Sequence, residues 1–266
     1  MITNKQFSVA FSGSGFLAPI HAGAAAAILD SGNQIVEVAG TSGGSIVAGA
    51  MGIGMKSADL KNLALNTSFH GLLHPDFLGL LSNKALCSGD ALLELLNSIF
   101  KGALLGGTNI PCHIVSTHVE AGASYVFNPE TDPATEIALA CRASAAVPFI
   151  YAPVKYQGMT LVDGGVINNI PVDRLTAQGT IKIGIDVAES STYSTEGLFD
   201  YASSLIGMML SANENSHEAL GIATGAHILA VPTQEWFLNT NLSTEQKQTL
   251  YQAGYDHVTE FLKTQT

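Results

Sequence analysis

Residues 7–50 read FSVAFSGSGFLAPIHAGAAAAILDSGNQIVEVAGTSGGSIVAGA, and their order decides the fold. The run Phe7-Ser8-Val9-Ala10-Phe11 is short and apolar and stops at Gly13, as a buried strand does. Ser12-Gly13-Ser14-Gly15 is a tight glycine turn. Ala22 to Asp30 is rich in alanine, with no breaker after Gly23, and predicts a helix that ends at Ser31-Gly32-Asn33. Ile35 to Ala39 predicts a second strand, Gly40 to Gly44 a second glycine turn, and Ser45 to Ala50 the start of another helix. Strand, turn, helix, strand, turn, helix is the crossover unit of a parallel sheet.

The alternation continues downstream. Helices are expected over Ser57–Asn66, with Ser57 as cap, and over Gly89–Phe100, Pro133–Arg142, Leu198–Leu210 and Glu245–Lys263. Strands are expected over Cys112–Val119, Ser124–Phe127, Ile181–Val187 and Ile228–Val231, with a small hairpin from Val154–Tyr156 to Met159–Val162 across Gln157-Gly158. Phe69 to Leu81 mixes Gly, Pro and large apolar residues without a clear period; a lid or acyl-chain wall competes there with ordinary packing. The fold class is α/β, a three-layer α/β/α sandwich on a mainly parallel central sheet. No linker or repeat interrupts it, so residues 1–266 are expected to form a single domain.

Composition narrows the function. The chain is 47% hydrophobic and only 12% charged, so most of the sheet must be covered on both faces. Its mean hydropathy of +0.28 is high enough to suggest an apolar surface that meets substrate or membrane. The formal net charge of -11 leaves no basic stripe for phosphates, which excludes nucleic acid as a partner. It also argues against standing electrostatic attachment to an anionic bilayer. The opening MITNKQFSVAF lacks the features of a signal peptide, and the apolar stretch Phe16–Leu29 is too short and broken to span a membrane. Cys87, Cys112 and Cys141 read as reduced core thiols, without a disulfide or metal role. A cytoplasmic location is the default, with delivery out of the cell by a dedicated machine left open.

Gly40-Thr41-Ser42-Gly43-Gly44 has the form G-x-S-x-G between an apolar strand and a helix. In that setting the serine sits on a sharp, strained turn with the helix N-terminus behind it, suited to a nucleophile. Gly40, Gly43 and Gly44 let the backbone fold tightly. An attacking serine needs donors for the oxyanion. The backbone N–H groups of Gly13, Ser14 and Gly15, at the carboxyl end of the neighbouring strand, are candidates. A dinucleotide-binding turn is the rival reading of that segment, but no acidic residue ends the second strand. Asp163 ends an apolar strand and opens Gly164-Gly165, which fits either a catalytic carboxylate or a plain Asp-Gly turn. The eight histidines sit in no strong motif.

These residues together resemble the patatin-like phospholipase family, here a short bacterial-type member with one domain. Ser12-Gly13-Ser14-Gly15-Phe16-Leu17 with His21-Ala22-Gly23 is similar to the family's oxyanion loop. Gly40 to Ser45 is similar to its nucleophile motif. Arg142-Ala143-Ser144-Ala145-Ala146-Val147-Pro148-Phe149, continuing to Ala152-Pro153-Val154, resembles the block ahead of the aspartate. Asp163-Gly164-Gly165 with Asn168-Asn169 and Pro171-Val172 resembles the aspartate motif. The resemblance implies a Ser42–Asp163 dyad with no histidine, no cofactor and no metal, acting on carboxylic esters of lipids through an acyl-enzyme. Ser14 replaces a glycine, and Phe16-Leu17 follow where many bacterial and plant members carry a basic residue. This variant looks more like the animal lipid-droplet lipases, so neutral glycerides or simple esters join phospholipids as expected substrates. An acyltransferase using the same dyad, or a silent lipid-binding module, is the alternative. Transient contact with a lipid surface is expected, and oligomeric state is left open.

Overall fold

The computed structural model describes residues 4–73, 84–189 and 225–265, with isolated described positions between 196 and 223. β1 (Gln6–Phe11) and β2 (Gln34–Thr41) pair in parallel, from Gln6 opposite Gln34 to Phe11 opposite Gly40. Phe7, Val9, Ala10 and Phe11 are fully buried. Consecutive residues are buried because both faces of the strand are covered, so no polar alternation appears. α1 (Pro19–Asp30) joins them and begins three residues before the expected start. Pro19 occupies its first turn, where a missing N–H leaves nothing unsatisfied. α2 (Gly43–Gly52) starts directly after Ser42, two residues earlier than expected.

α3 (Ser57–Asn66) has the expected range, but Ser57 is its first helical residue and Lys56 holds the cap position. There the Asp59 carboxylate accepts from the Lys56 N–H. β3 (Ala85–Cys87) and β6 (Phe149–Tyr151) form a separate two-stranded parallel pair that no sequence pattern announced. α4 (Asp90–Phe100) packs on α5 (Ile137–Ser144). α5 starts four residues later than expected. Residues 133–136 are drawn away from helical geometry because Pro133 and Thr135 give their carbonyls to the N–H groups of Gly106 and Leu105.

The central sheet runs β10 (His227–Thr233), β9 (Ile181–Glu189), β1, β2, β4 (Cys112–His118), β8 (Met159–Asp163), β7 (Val154–Tyr156). β4, β9 and β10 extend the parallel part. β5 (Ala123–Phe127) and the hairpin of β7 and β8 are antiparallel. The hairpin turn has φ of 47° at Gln157 and 84° at Gly158, both positive as its tight twist requires. Helices flank the sheet, and α6 (Thr244–Thr264) packs along α1. The expected helix over Leu198–Leu210 and the proposed wall over Phe69–Leu81 fall largely outside the described residues; Phe69 and Leu72 themselves are buried.

One buried carboxylate belongs to the scaffold. Glu37 on β2 accepts from the Thr176 N–H and hydroxyl and from the Ala177 N–H, with His113 Nε2 at 3.4 Å. Burial opposes its ionisation, but His113 and these donors outweigh burial and bring its pKa down to about 2. It ties the chain after Leu175 to β2, three residues before Gly40.

Candidate active site

The elbow carries visible strain. Ser42 has φ 50° and ψ -123°, a region disfavoured for any residue with a Cβ. Its N–H donates to Ser144 Oγ at 2.8 Å, and Ser144 in turn donates to the Val115 carbonyl at 2.5 Å. Its carbonyl accepts from the Ser45 hydroxyl at 2.5 Å and N–H at 3.0 Å. The glycines around it are demanded by contact. A Cβ on Gly40 would stand 2.6 Å from the Gly44 carbonyl oxygen, and one on Gly44 2.3 Å from that of Ser12. One on Gly43 would stand 2.3 Å from the Gly15 carbonyl oxygen. The first N–H groups of α2 lack intrahelical acceptors, so this end of the helix favours negative charge.

Sheet register brings Asp163 to the elbow. On β4, Val115 lies opposite Thr41 of β2, and the next residue, Ser116, lies opposite Asp163 of β8. β5 covers residues 114–118 of β4 along the other edge. So β2 and β8 share one edge of β4 and meet head-on, Ser42 leaving one strand where Asp163 ends the other. Past Asp163 the chain crosses directly above β4: a Cβ on Gly164 would stand 2.2 Å from the Val115 carbonyl oxygen. Thr41 Oγ1 then donates to the Asn168 carbonyl at 2.9 Å, and the Gly13 N–H to the Asn169 carbonyl at 3.1 Å. One short ribbon thus ties the end of β8 to the ends of β2 and β1.

Asp163 is 2% exposed. Burial pushes its pKa up to about 6, against the lowering effect of the Ser42 hydroxyl and the Gly165 N–H. Oδ1 accepts from Gly165 at 2.8 Å. Oδ2 has no hydrogen bond of full geometry. The Ser42 side chain lies close enough to this carboxyl to lower its pKa. Ser14 Oγ and Ser116 Oγ, both buried, also lack a hydrogen-bond partner among the described residues.

The first glycine turn lies against the elbow. A Cβ on Gly13 would stand 3.5 Å from that of Ser42, and one on Gly43 2.5 Å from Ser14 Oγ. Of the three N–H groups expected to face an oxyanion, that of Gly13 is engaged by Asn169. Those of Ser14 and Gly15 are the ones that stay candidates. The Phe16 N–H leaves the turn for the Phe237 carbonyl at 2.8 Å. His21 anchors the turn from α1. It is fully buried, edge-on to Phe11, and its Nε2 meets the Ser12 carbonyl at 2.9 Å. Because a carbonyl only accepts, Nε2 carries the proton. Burial drives its pKa down to about 4 against that hydrogen bond, so the ring is neutral near pH 7.

The other histidines at described positions lie elsewhere: His113 with Glu37, His118 with Glu120, His227 against Phe261, and His70 and His257 exposed. Cys87, Cys112 and Cys141 are free and buried. Among the described residues there is no cluster of three or more ligating side chains for a metal and no helix long and apolar enough to cross a membrane. Sequence reasoning gave Ser116 and Phe237 no role. Neither has a local signal, because each reaches the site only through strand register or a backbone bond.

Comparison with known proteins finds relatives in sequence and in fold. The chain is 24% identical over 284 residues to the uncharacterized protein YqhO of Bacillus subtilis, covering 95% of this chain and 97% of that one. It is 26% identical over 194 residues to the NTE family protein Rv1063c of Mycobacterium tuberculosis, covering 71% of this chain and 51% of its relative, so it spans about half of that protein. In fold it is similar to VipD from Legionella pneumophila, with a TM-score of 0.60 at 15% identity, over 98% of this chain and 67% of that one. The model of the patatin-like phospholipases matches residues 9–176, from β1 through the ribbon that follows Asp163, and the chain belongs to that family.

Proposed function

We propose that the chain is a serine acyl hydrolase that cleaves carboxylic esters of lipids, with Ser42 as nucleophile and Asp163 as its proton acceptor. Family membership supports lipid ester hydrolysis in general. The observation that carries the finer reading is geometric: a buried carboxyl ends β8 where β2 delivers a strained serine to the start of α2, and burial holds that carboxyl's pKa near 6. An ordinary carboxylate is a weak base at pH 7. One with a raised pKa transfers protons closer to its working pH.

Ser42 Oγ attacks the ester carbonyl as its proton passes to Asp163 Oδ2. The Ser14 and Gly15 N–H groups and the start of α2 receive the oxyanion. Collapse expels the alcohol, which takes the proton from Asp163. Water then attacks the acyl-Ser42 ester and gives its proton to Asp163; the acyl–Oγ bond breaks, Ser42 Oγ takes that proton back, and the fatty acid leaves. Ser42→Ala should abolish p-nitrophenyl ester hydrolysis and labelling by a fluorophosphonate. Retention of either overturns the assignment.

A further inference from the structure

Phe149 is 63% exposed, the most exposed large apolar side chain among the described residues. It also has φ 65°, a conformation that bulky residues avoid. Its turn is held on both sides. The Val147 carbonyl accepts from the N–H groups of Ile150 at 3.1 Å and Tyr151 at 2.9 Å, and Phe149 pairs with Ala85 in the small sheet. Ile150 and Tyr151 turn inward and are buried, which leaves the Phe149 ring outside. Asparagine or glycine would hold this turn at lower cost. Neither the core nor the turn therefore gives a reason for phenylalanine.

The segment borders the candidate site. The Ala146 carbonyl, three residues before Phe149, accepts from the Asp163 N–H at 2.9 Å. A second exposed aromatic arrives by a different route. Trp236 is 38% exposed and its ring lies 6.0 Å from that of Phe237, whose carbonyl accepts from Phe16 just beyond Gly15. Two unrelated stretches of chain, each bonded to a site loop, present a large ring to solvent.

We propose that Phe149 and Trp236 are interfacial anchors that dock the mouth of the Ser42 site on an uncharged lipid surface. The proposal rests on the lipid-ester reading of that site and names the surface on which it works. Aromatic rings partition into the boundary between headgroups and acyl chains. A net charge of -11 disfavours anionic bilayers, so attachment falls to apolar insertion, and zwitterionic or neutral lipid is the surface that fits.

Trp236 is the sole tryptophan, so its emission reports the contact without a label. In the Ser42→Ala protein, which leaves the lipid intact, phosphatidylcholine vesicles should shift that emission to the blue, and brominated acyl chains should quench it. Binding should survive high salt. Phe149→Asn suits the positive φ and should fold normally, yet weaken vesicle binding about tenfold. With Ser42 present, the same variant should turn over a soluble short-chain p-nitrophenyl ester as wild type does and vesicle lipid about tenfold more slowly. Absence of shift and quenching, loss of binding in salt, or wild-type vesicle affinity of Phe149→Asn overturns the proposal. Ester turnover that persists in Ser42→Ala would sink the catalytic assignment instead, and the binding result would still decide the anchors.

Discussion

The backbone N–H of Ser42 donates to the hydroxyl of Ser144, 2.8 Å away and 102 positions later in the chain. Ser144 is fully buried at the end of α5, and its hydroxyl donates a hydrogen bond to the Val115 carbonyl. The strained turn is thus braced by a single hydroxyl that accepts on one side and donates on the other. That brace stands on β4, the strand along which Ser42 and Asp163 meet.

Ser144→Ala removes both bonds and strands a buried N–H at the most strained point of the site. Stability should fall by about 1–3 kcal/mol in urea unfolding. Ester hydrolysis should lose kcat while KM barely moves, since the hydroxyl touches no substrate. Unchanged stability would show that the bond does not brace the elbow.

Asp163→Asn should abolish turnover and yet stabilise the protein at pH 8. Its pKa rises on folding from 3.8 to about 6, so the unfolded chain gives up this proton more readily. Stability therefore falls as pH rises from about 4 to 6, by about 3 kcal/mol in all. A neutral amide escapes that penalty. Thermal unfolding at pH 8 and pH 4 tests this: the gain belongs at pH 8 and vanishes at pH 4. Wild-type kcat/KM should climb through pH 6 as the carboxyl ionises.

His21 works in the opposite direction. Its pKa drops on folding from 6.5 to about 4, so the unfolded chain binds the extra proton in that window. Stability contributed by the neutral ring is complete above pH 6.5 and is lost as pH falls towards 4, by about 3 kcal/mol. In wild type this slope and that of Asp163 largely cancel between pH 4 and 6. His21→Gln retains a donor for the Ser12 carbonyl and removes one of the two slopes. Its stability should then fall as pH rises across that range, and a profile parallel to wild type would contradict the assignment.

Ser14→Ala deletes a buried hydroxyl that has no partner among the described residues, so unfolding should be unchanged or slightly harder. If the hydroxyl donates to the developing oxyanion beside the Ser14 and Gly15 N–H groups, kcat should drop about tenfold or more. Parallel measurements of kcat and urea stability separate this from a packing role, which would lower both.

Most of the fold was legible because it rests on local patterns. Unbroken apolar runs such as Phe7–Phe11 mark doubly covered strands, and the glycine turns mark where they stop. Ser42 and Asp163 each carried a glycine signature of their own. The pairing of β3 with β6 was hidden, since three-residue strands have no period to read. The late start of α5 was hidden because carbonyls of Pro133 and Thr135 are claimed by a distant loop. The engagement of the Gly13 N–H depends on Asn169, placed there only by the path of the ribbon, and no spacing along the sequence encodes it.

That ribbon also limits what selection or design can alter. Since it spans three strand ends within a few residues, lengthening or shortening it by one position would move Asp163, Ser42 and the first turn at once. On the proposed function, new substrate preferences should therefore accumulate in the surrounding walls, while this centre is inherited as one piece.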